Sequence, residues 1–198
     1  MESEREKLFG DVANALTANH GASTGEIAAA AGVSRATLHR VFGSRDALVE
    51  EVYGWLLERC DRRLDAAGVD PAEGEPDRLD PVLEVFDRLI DDSYPLAQSL
   101  WLLIATPRLE QNPELLARLE AQDLRFEKLF RRGQRDGVFR ADLPARWLAY
   151  SLGSQVMSAW YLVDDGYAGA KDVPRLVRAA ILDGVRAAPE ERGGEGRA

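Results

Sequence analysis

A run of hydrogen-bond donors occupies a short stretch near the start of the chain. These donors are Ser34, Arg35, Thr37, His39, Arg40 and Arg45. No Asp or Glu occurs between residues 27 and 45. Arginine can bind guanine edges or phosphate, threonine can bond to a base or to phosphate, and histidine can donate to phosphate. The run therefore has the chemistry of a nucleic-acid contact, even though the whole chain carries a formal charge of −9.

Two short helices joined by a glycine would position these donors. Ser23 is a good N-cap for the first helix, and Glu26 three residues later completes a capping-box pattern. Ser34 is the N-cap expected for the second helix. Gly32 lies between the two helices, where a sharp turn needs a positive φ that glycine adopts at little cost.

The apolar positions favour a helix-turn-helix motif over residues 23–42. Ala28 stands where the two helices would cross and only a small side chain fits. Leu38 would anchor the second helix to the core, which leaves the donor side chains facing outward. A small-residue helical hairpin that merely packs is the alternative.

Almost every segment shows helical periodicity, and no segment alternates convincingly as a strand would. We therefore expect an all-α protein of about nine helices. A three-helix DNA-binding domain is predicted over residues 1–50, followed by a helical regulatory and dimerisation domain over residues 51–188. Residues 189–198 have almost nothing to bury and are predicted to be a disordered tail.

Catalytic chemistry finds little support in the sequence. His20 and His39 are the only histidines, and no Ser-His-Asp set or clustered metal spacing can be drawn from them. No phosphate-cradling glycine loop occurs. We therefore expect no catalytic residues, no metal site and no cofactor.

The composition also indicates the cellular compartment of the protein. Cys60 is the single cysteine, so no disulfide can form within the chain. No apolar run approaches the roughly 20 residues that span a bilayer. A cytoplasmic protein without a membrane partner is expected.

The segment GEIAAAAGVSRATLHRVFGSRDALVEEV closely resembles the DNA-binding domain of the tetracycline-repressor (TetR) family, and the resemblance covers residues 3 to 55. It implies a homodimeric transcriptional regulator, usually a repressor released from its operator by a small molecule. By the same resemblance Arg35, Thr37, His39 and Arg40 would face the major groove, and Arg45 would hold a phosphate. His39 replaces the usual tyrosine and Arg45 a frequent lysine, and both keep a donor.

Dimerisation is expected through two apolar stripes in the C-terminal half. They comprise Leu148, Leu152, Val156, Ala159 and Val163, and then Val177, Ile181, Gly184 and Ala188, with Ala180 beside them. Two such helices from each subunit would form a four-helix bundle. The alternative is that both stripes cover the chain's own core.

A mostly apolar or aromatic effector is expected in a pocket of the second domain. The preferred lining residues are Phe86, Trp101, Phe126 and Tyr150, on helices that would surround one cavity. A helical module that uses the donor face to bind another protein remains the rival interpretation. Salt dependence discriminates between the two, because only DNA binding releases many counterions.

Overall fold

The computed structural model describes residues 4–70, 80–91, 93–106 and 111–185, and these residues form helices without a strand. The helices are α1 (Glu4–Ala18), α2 (Thr24–Ala30), α3 (Arg35–Phe42), α4 (Arg45–Ala67), α5 (Val82–Asp91), α6 (Tyr94–Ala105), α7 (Pro113–Arg135), α8 (Ala145–Asp164) and α9 (Val173–Val185). A short 3-10 helix, Ala170–Asp172, precedes α9. The all-α prediction is confirmed. The predicted tail, residues 189–198, lies outside the described residues.

The helix-turn-helix forms through the local signals expected of it. The Ser23 side chain accepts from the backbone N–H of Glu26, and the Glu26 carboxylate accepts from the N–H of Ser23, which completes the capping box of α2. Gly32 adopts φ +67° in the turn. Ala28 and Leu38 are both buried, Leu38 completely. The motif therefore packs α2 and α3 with the anchors predicted.

Two clusters of buried side chains divide the molecule. The first joins α1, α2 and α3 to the N-terminal part of α4 and also includes Leu102 and Leu115. The second begins at Cys60 and joins the C-terminal part of α4 to helices α5 to α9. Helix α4 therefore belongs to both clusters, and the boundary between the clusters lies between Leu57 and Cys60.

Polar contacts hold α7 against α4. The guanidinium of Arg125 pairs with Asp61, Asp65 and Asp70 at distances of 3.3, 2.5 and 2.6 Å. The Gln122 side chain donates to the Leu57 carbonyl at 2.7 Å. Since α7 also packs on α8, these contacts frame the space between the three helices.

The apolar stripes predicted for dimerisation face the chain's own core instead. Leu148, Leu152, Val156 and Ala159 are buried in the second cluster, as are Val177 and Ile181 of α9. Val163 packs against the same cluster, whereas Ala180 and Gly184 are exposed. Ala188 lies outside the described residues. The alternative that these apolar residues cover the core of their own chain is therefore correct, because α5, α6 and α7 need this surface to pack against.

Candidate DNA-contact surface and regulatory chamber

The second helix of the motif, α3, has one buried and one exposed face. Leu38 and Phe42 are buried, whereas Arg35, His39 and Arg40 are exposed. Arg35 and Arg40 form no ion pair with any described residue. Helix α3 therefore presents two unpaired guanidinium groups and an imidazole on one surface. Such a face fits the DNA contact predicted for these residues.

Ser34 and Thr37 are joined at the start of α3. The Ser34 hydroxyl accepts from the backbone N–H of Thr37 at 3.0 Å and lies 2.9 Å from its side-chain oxygen. Both hydroxyl groups therefore contribute to the N-cap. Each oxygen retains further hydrogen-bonding capacity, so a DNA contact by these residues stays a prediction.

Arg45 directs part of its guanidinium into the protein. Its Nε donates to the Ala22 carbonyl at 3.1 Å, and one terminal nitrogen donates to the His20 carbonyl at 2.5 Å. These bonds tie the loop between α1 and α2 to the beginning of α4. Burial, and then the charge of Arg45, lower the pKa of His20 below its ordinary value. The sequence did not reveal this tie, since it joins residues more than twenty positions apart.

A chamber of about 490 Å³ lies between α4, α6, α7 and α8. Its walls are mainly apolar and aromatic, and they include Tyr53, Leu100, Phe126, Tyr150 and Met157. The side chain of Tyr150 is 49% exposed, so the chamber reaches solvent at this residue. A smaller cavity of about 180 Å³ shares part of this wall, because Leu96, Phe126 and Leu152 line both spaces.

The four aromatic residues predicted to line one pocket are not brought together. Phe126 and Tyr150 line the chamber. Phe86 is completely buried and packs against the rings of Phe130 and Phe139, so it lines neither cavity. Trp101 packs against Trp160. Helical periodicity shows that an aromatic residue faces inward, but it cannot distinguish a filled core from a cavity wall.

Helix α6 joins the chamber to the first cluster. Leu100 lines the chamber, whereas Leu102, two positions later, is completely buried in the first cluster. The Trp101 ring lies edge-on to the His20 imidazole, with 6.0 Å between centroids. The Thr106 hydroxyl lies 3.5 Å from Nδ1 of His20. A displacement of α6 would therefore reach the loop that Arg45 holds.

Neither a metal site nor a membrane span is found in the part of the chain that the structure describes. No group of three or more His, Cys, Asp or Glu side chains there could hold a metal ion. No described helix is both long enough and apolar enough to cross a bilayer.

Together, the capped helix-turn-helix, its exposed basic face and the all-helical second domain define a helix-turn-helix DNA-binding protein. The family model described as "Bacterial regulatory proteins, tetR family" matches residues 11–52. The chain is 32% identical over 156 residues to the HTH-type transcriptional regulator NfxB of Pseudomonas aeruginosa, covering 72% of this chain and 73% of NfxB. It is 28% identical over 176 residues to the HTH-type transcriptional repressor LfrR of Mycolicibacterium smegmatis, covering 88% of this chain and 82% of LfrR.

Solved structures share the fold. The TetR-like regulator LfrR from Mycobacterium smegmatis, in complex with proflavine, superposes with a TM-score of 0.69 at 21% identity, over 93% of this chain and 98% of that one. The ketosteroid transcriptional regulator KstR2 of Mycobacterium tuberculosis gives a TM-score of 0.70 at 19% identity, over 95% and 97% of the two chains. The chain belongs to the TetR family of bacterial regulatory proteins and is a DNA-binding transcriptional regulator.

Proposed function

We propose that the protein is a homodimeric repressor that leaves its operator when a small molecule enters the chamber between α4, α6, α7 and α8. The observation that carries this proposal is the arrangement of helix α6. Leu96 and Leu100 of this helix line the chamber, and Leu102, two positions after Leu100, packs in the helix-turn-helix cluster. LfrR, which shares this fold, has been solved in complex with the small molecule proflavine, and this supports a small-molecule ligand for the present chain. The proposal includes no catalytic activity.

The proposed release follows the contacts of α6. A ligand in the chamber would press on Leu100, and α6 would move as a unit because its backbone hydrogen bonds make it stiff. The movement would then disturb the contacts of Trp101 and Thr106 with His20. Since Arg45 ties the His20 loop to the start of α4, the position of α3 would change relative to the α3 helix of the other subunit of the proposed dimer.

The exposed faces of α8 and α9 support a dimer interface. On α8 the exposed side chains include Trp147 (60%), Tyr161 (47%) and Leu162 (37%). The hydroxyls of Ser154 and Ser158 donate to carbonyls of their own helix. Their hydrogen-bonding needs are therefore met in a close helix–helix contact. On α9 the small residues Ala179, Ala180 and Gly184 are exposed, and small residues let helices approach closely.

The operator is sought first in DNA flanking the protein's own gene. Binding is titrated by gel shift at two salt concentrations with non-specific competitor DNA. We expect a competitor-resistant complex whose affinity falls steeply with salt, because each phosphate contact releases counterions. Unbiased site selection follows if the flanking DNA is not bound. Failure of both, or an affinity that does not depend on salt, would refute DNA binding by this face and favour the rival protein-binding module.

The dimer proposal has a separate test. Ser158→Arg would place a long cation on the proposed interface, whereas Ala121→Arg on α7 changes another exposed position as a matched control. Light scattering should show a dimer for the parent chain and for Ala121→Arg, and a shift towards monomer for Ser158→Arg. Paired half-sites one helical turn apart, about 34–36 Å, are expected in the operator. A dimer that tolerates Ser158→Arg would place the interface elsewhere.

A further inference from the structure

The chamber contains one carboxylate among mostly apolar walls. Asp123 lies on α7 and lines the chamber beside Phe126. The described residues of α6 that line it, Leu96 and Leu100, are apolar. No Lys or Arg side chain is among the lining residues. The chamber therefore has a negative electrostatic character at a surface that is otherwise suited to hydrophobic rings.

Asp123 has no counter-ion of its own among the described residues. No ion pair or hydrogen bond joins its carboxylate to a described side chain, and the cation whose charge acts on its pKa is Arg146 of α8. That guanidinium is already engaged, because it donates to the Tyr150 hydroxyl at 3.0 Å and lies 3.8 Å from Glu127. Burial raises the pKa of Asp123, Arg146 opposes the rise, and Glu120 adds to it.

The other polar groups of the chamber have different roles. Gln122 donates to the Leu57 carbonyl, and the Ser154 hydroxyl donates to the Tyr150 carbonyl. The Tyr53 hydroxyl makes no hydrogen bond with a described residue, and burial followed by the charge of Asp123 raises its pKa. Tyr53 is therefore a neutral hydroxyl, and Asp123 is the one lining carboxylate that a ligand could neutralise.

We propose that the chamber binds a lipophilic organic cation and that the Asp123 carboxylate is the counter-ion that selects it. This inference rests on the proposed effector function and names the chemical class of the effector. A half-buried charge without a partner costs free energy, and a bound cation removes that cost. Phe126 and Tyr53 add ring surface, which attracts cations more strongly than it attracts neutral molecules. A neutral molecule of the same shape would leave the carboxylate uncompensated.

The test compares two probes of similar shape on the full chain without DNA. Proflavine is a planar three-ring cation at neutral pH, and acridine is the uncharged parent ring system. Fluorescence titration should show tighter binding of proflavine by the parent chain. Asp123→Asn should weaken proflavine binding by about ten- to a hundredfold, the range for a hydrogen bond to a charged group. Acridine binding should change much less.

Two further variants control for folding and for general electrostatics. Glu120→Gln removes an exposed carboxylate three residues away on α7 and should leave both affinities unchanged. Asp123→Glu keeps the charge and should retain the preference for proflavine. Equal proflavine affinity for the parent chain and Asp123→Asn would overturn the proposal, as would a parent chain that binds neither probe. Because no DNA is present, these outcomes are independent of the operator titration, which tests the proposed function by itself.

Discussion

Arg45 separates a structural role from a DNA-contacting role in one experiment. From its position the sequence predicts a phosphate contact, whereas in the structure its guanidinium donates to the carbonyls of His20 and Ala22. Arg45→Ala would leave both carbonyls without a charged donor. Arg40→Ala is the matched variant, because Arg40 is exposed on α3 and pairs with no described residue.

The expected loss of stability follows from the two hydrogen bonds. Each bond to a charged group contributes about 1.5–3 kcal/mol. Since the Arg45 side chain is only half-buried, water can replace part of the interaction, and we expect about 2–3 kcal/mol in total. For a chain of this size that corresponds to a fall in Tm of roughly 4–12 °C. Arg40→Ala should leave Tm unchanged.

For DNA binding we expect the reverse pattern, in which Arg40→Ala has an effect and Arg45→Ala has none. Once an operator is known, affinity is measured as a function of salt at a temperature where both variants are folded. Loss of one phosphate contact lowers the slope of log affinity against log salt by about 0.9. For Arg40→Ala we expect this smaller slope. If the Arg40 side chain contacts a base instead, we expect a weaker preference for the operator sequence. The slope of Arg45→Ala should stay at the parent value.

Two additional readouts sharpen the comparison. Arg45→Lys keeps the charge but lacks the planar guanidinium that reaches two carbonyls. It should therefore lose most of the stability that the Arg45 side chain contributes. The chain has two histidines, so NMR can follow His20 directly. Burial and Arg45 both lower its pKa, and Arg45→Ala should therefore raise it part of the way towards its ordinary value. A normal Tm with a salt slope reduced by about 0.9 would refute the structural role of Arg45.

Four further variants test packing and buried charge, each by thermal melting. Leu38→Ala should destabilise the DNA-binding domain by about 2–5 kcal/mol, since Leu38 is completely buried; an unchanged melting curve would rule it out as the anchor. Gly133→Ala should lower the free energy of unfolding by about 1–3 kcal/mol or more, because the new Cβ would lie 2.2 Å from the Phe139 ring. Gly10→Ala is the control, since its Cβ meets only an ordinary contact at 3.7 Å, and it should raise the free energy of unfolding by up to about 1 kcal/mol. Asp123→Asn should raise Tm at neutral pH without ligand. The raised pKa of Asp123 means that the folded state holds the carboxyl proton more tightly, so the stability of the parent chain falls as pH rises through that pKa. The gain in Tm from Asp123→Asn should therefore disappear at a pH below the ordinary Asp range. A gain in Tm that does not depend on pH would contradict an origin in the buried charge.

The helix-turn-helix could be predicted from the sequence because its signals are local. Ser23 and Glu26 satisfy each other across three residues, and Gly32 supplies the conformation that the turn needs. The bounds of α4 also follow from local signals, since Ser44 caps its start and Gly68 ends it in the left-handed conformation. The exposed face of α3 follows from helical period once Leu38 is identified as the anchor.

The sites in the second domain depended on contacts between distant residues. Helical period placed Phe86 and Phe126 equally well inside the protein, but only the packing of α5 against α7 made one a core residue and left the other at a chamber wall. The stripe of α8 that suggested a dimer is covered by the chain's own helices, so the exposed side chains of α8 became the candidate interface.

The sequence by itself determined the helices, their caps and the basic face of α3, since each depends on residues within one or two turns of one another. Tertiary structure alone decided that Arg45 holds the loop at His20 and that Asp123 enters an apolar chamber without a counter-ion among the residues that the structure describes. The physical reason is that burial and charge compensation are properties of the space between helices. Residues from α4, α6, α7 and α8 create that space only after they have packed together.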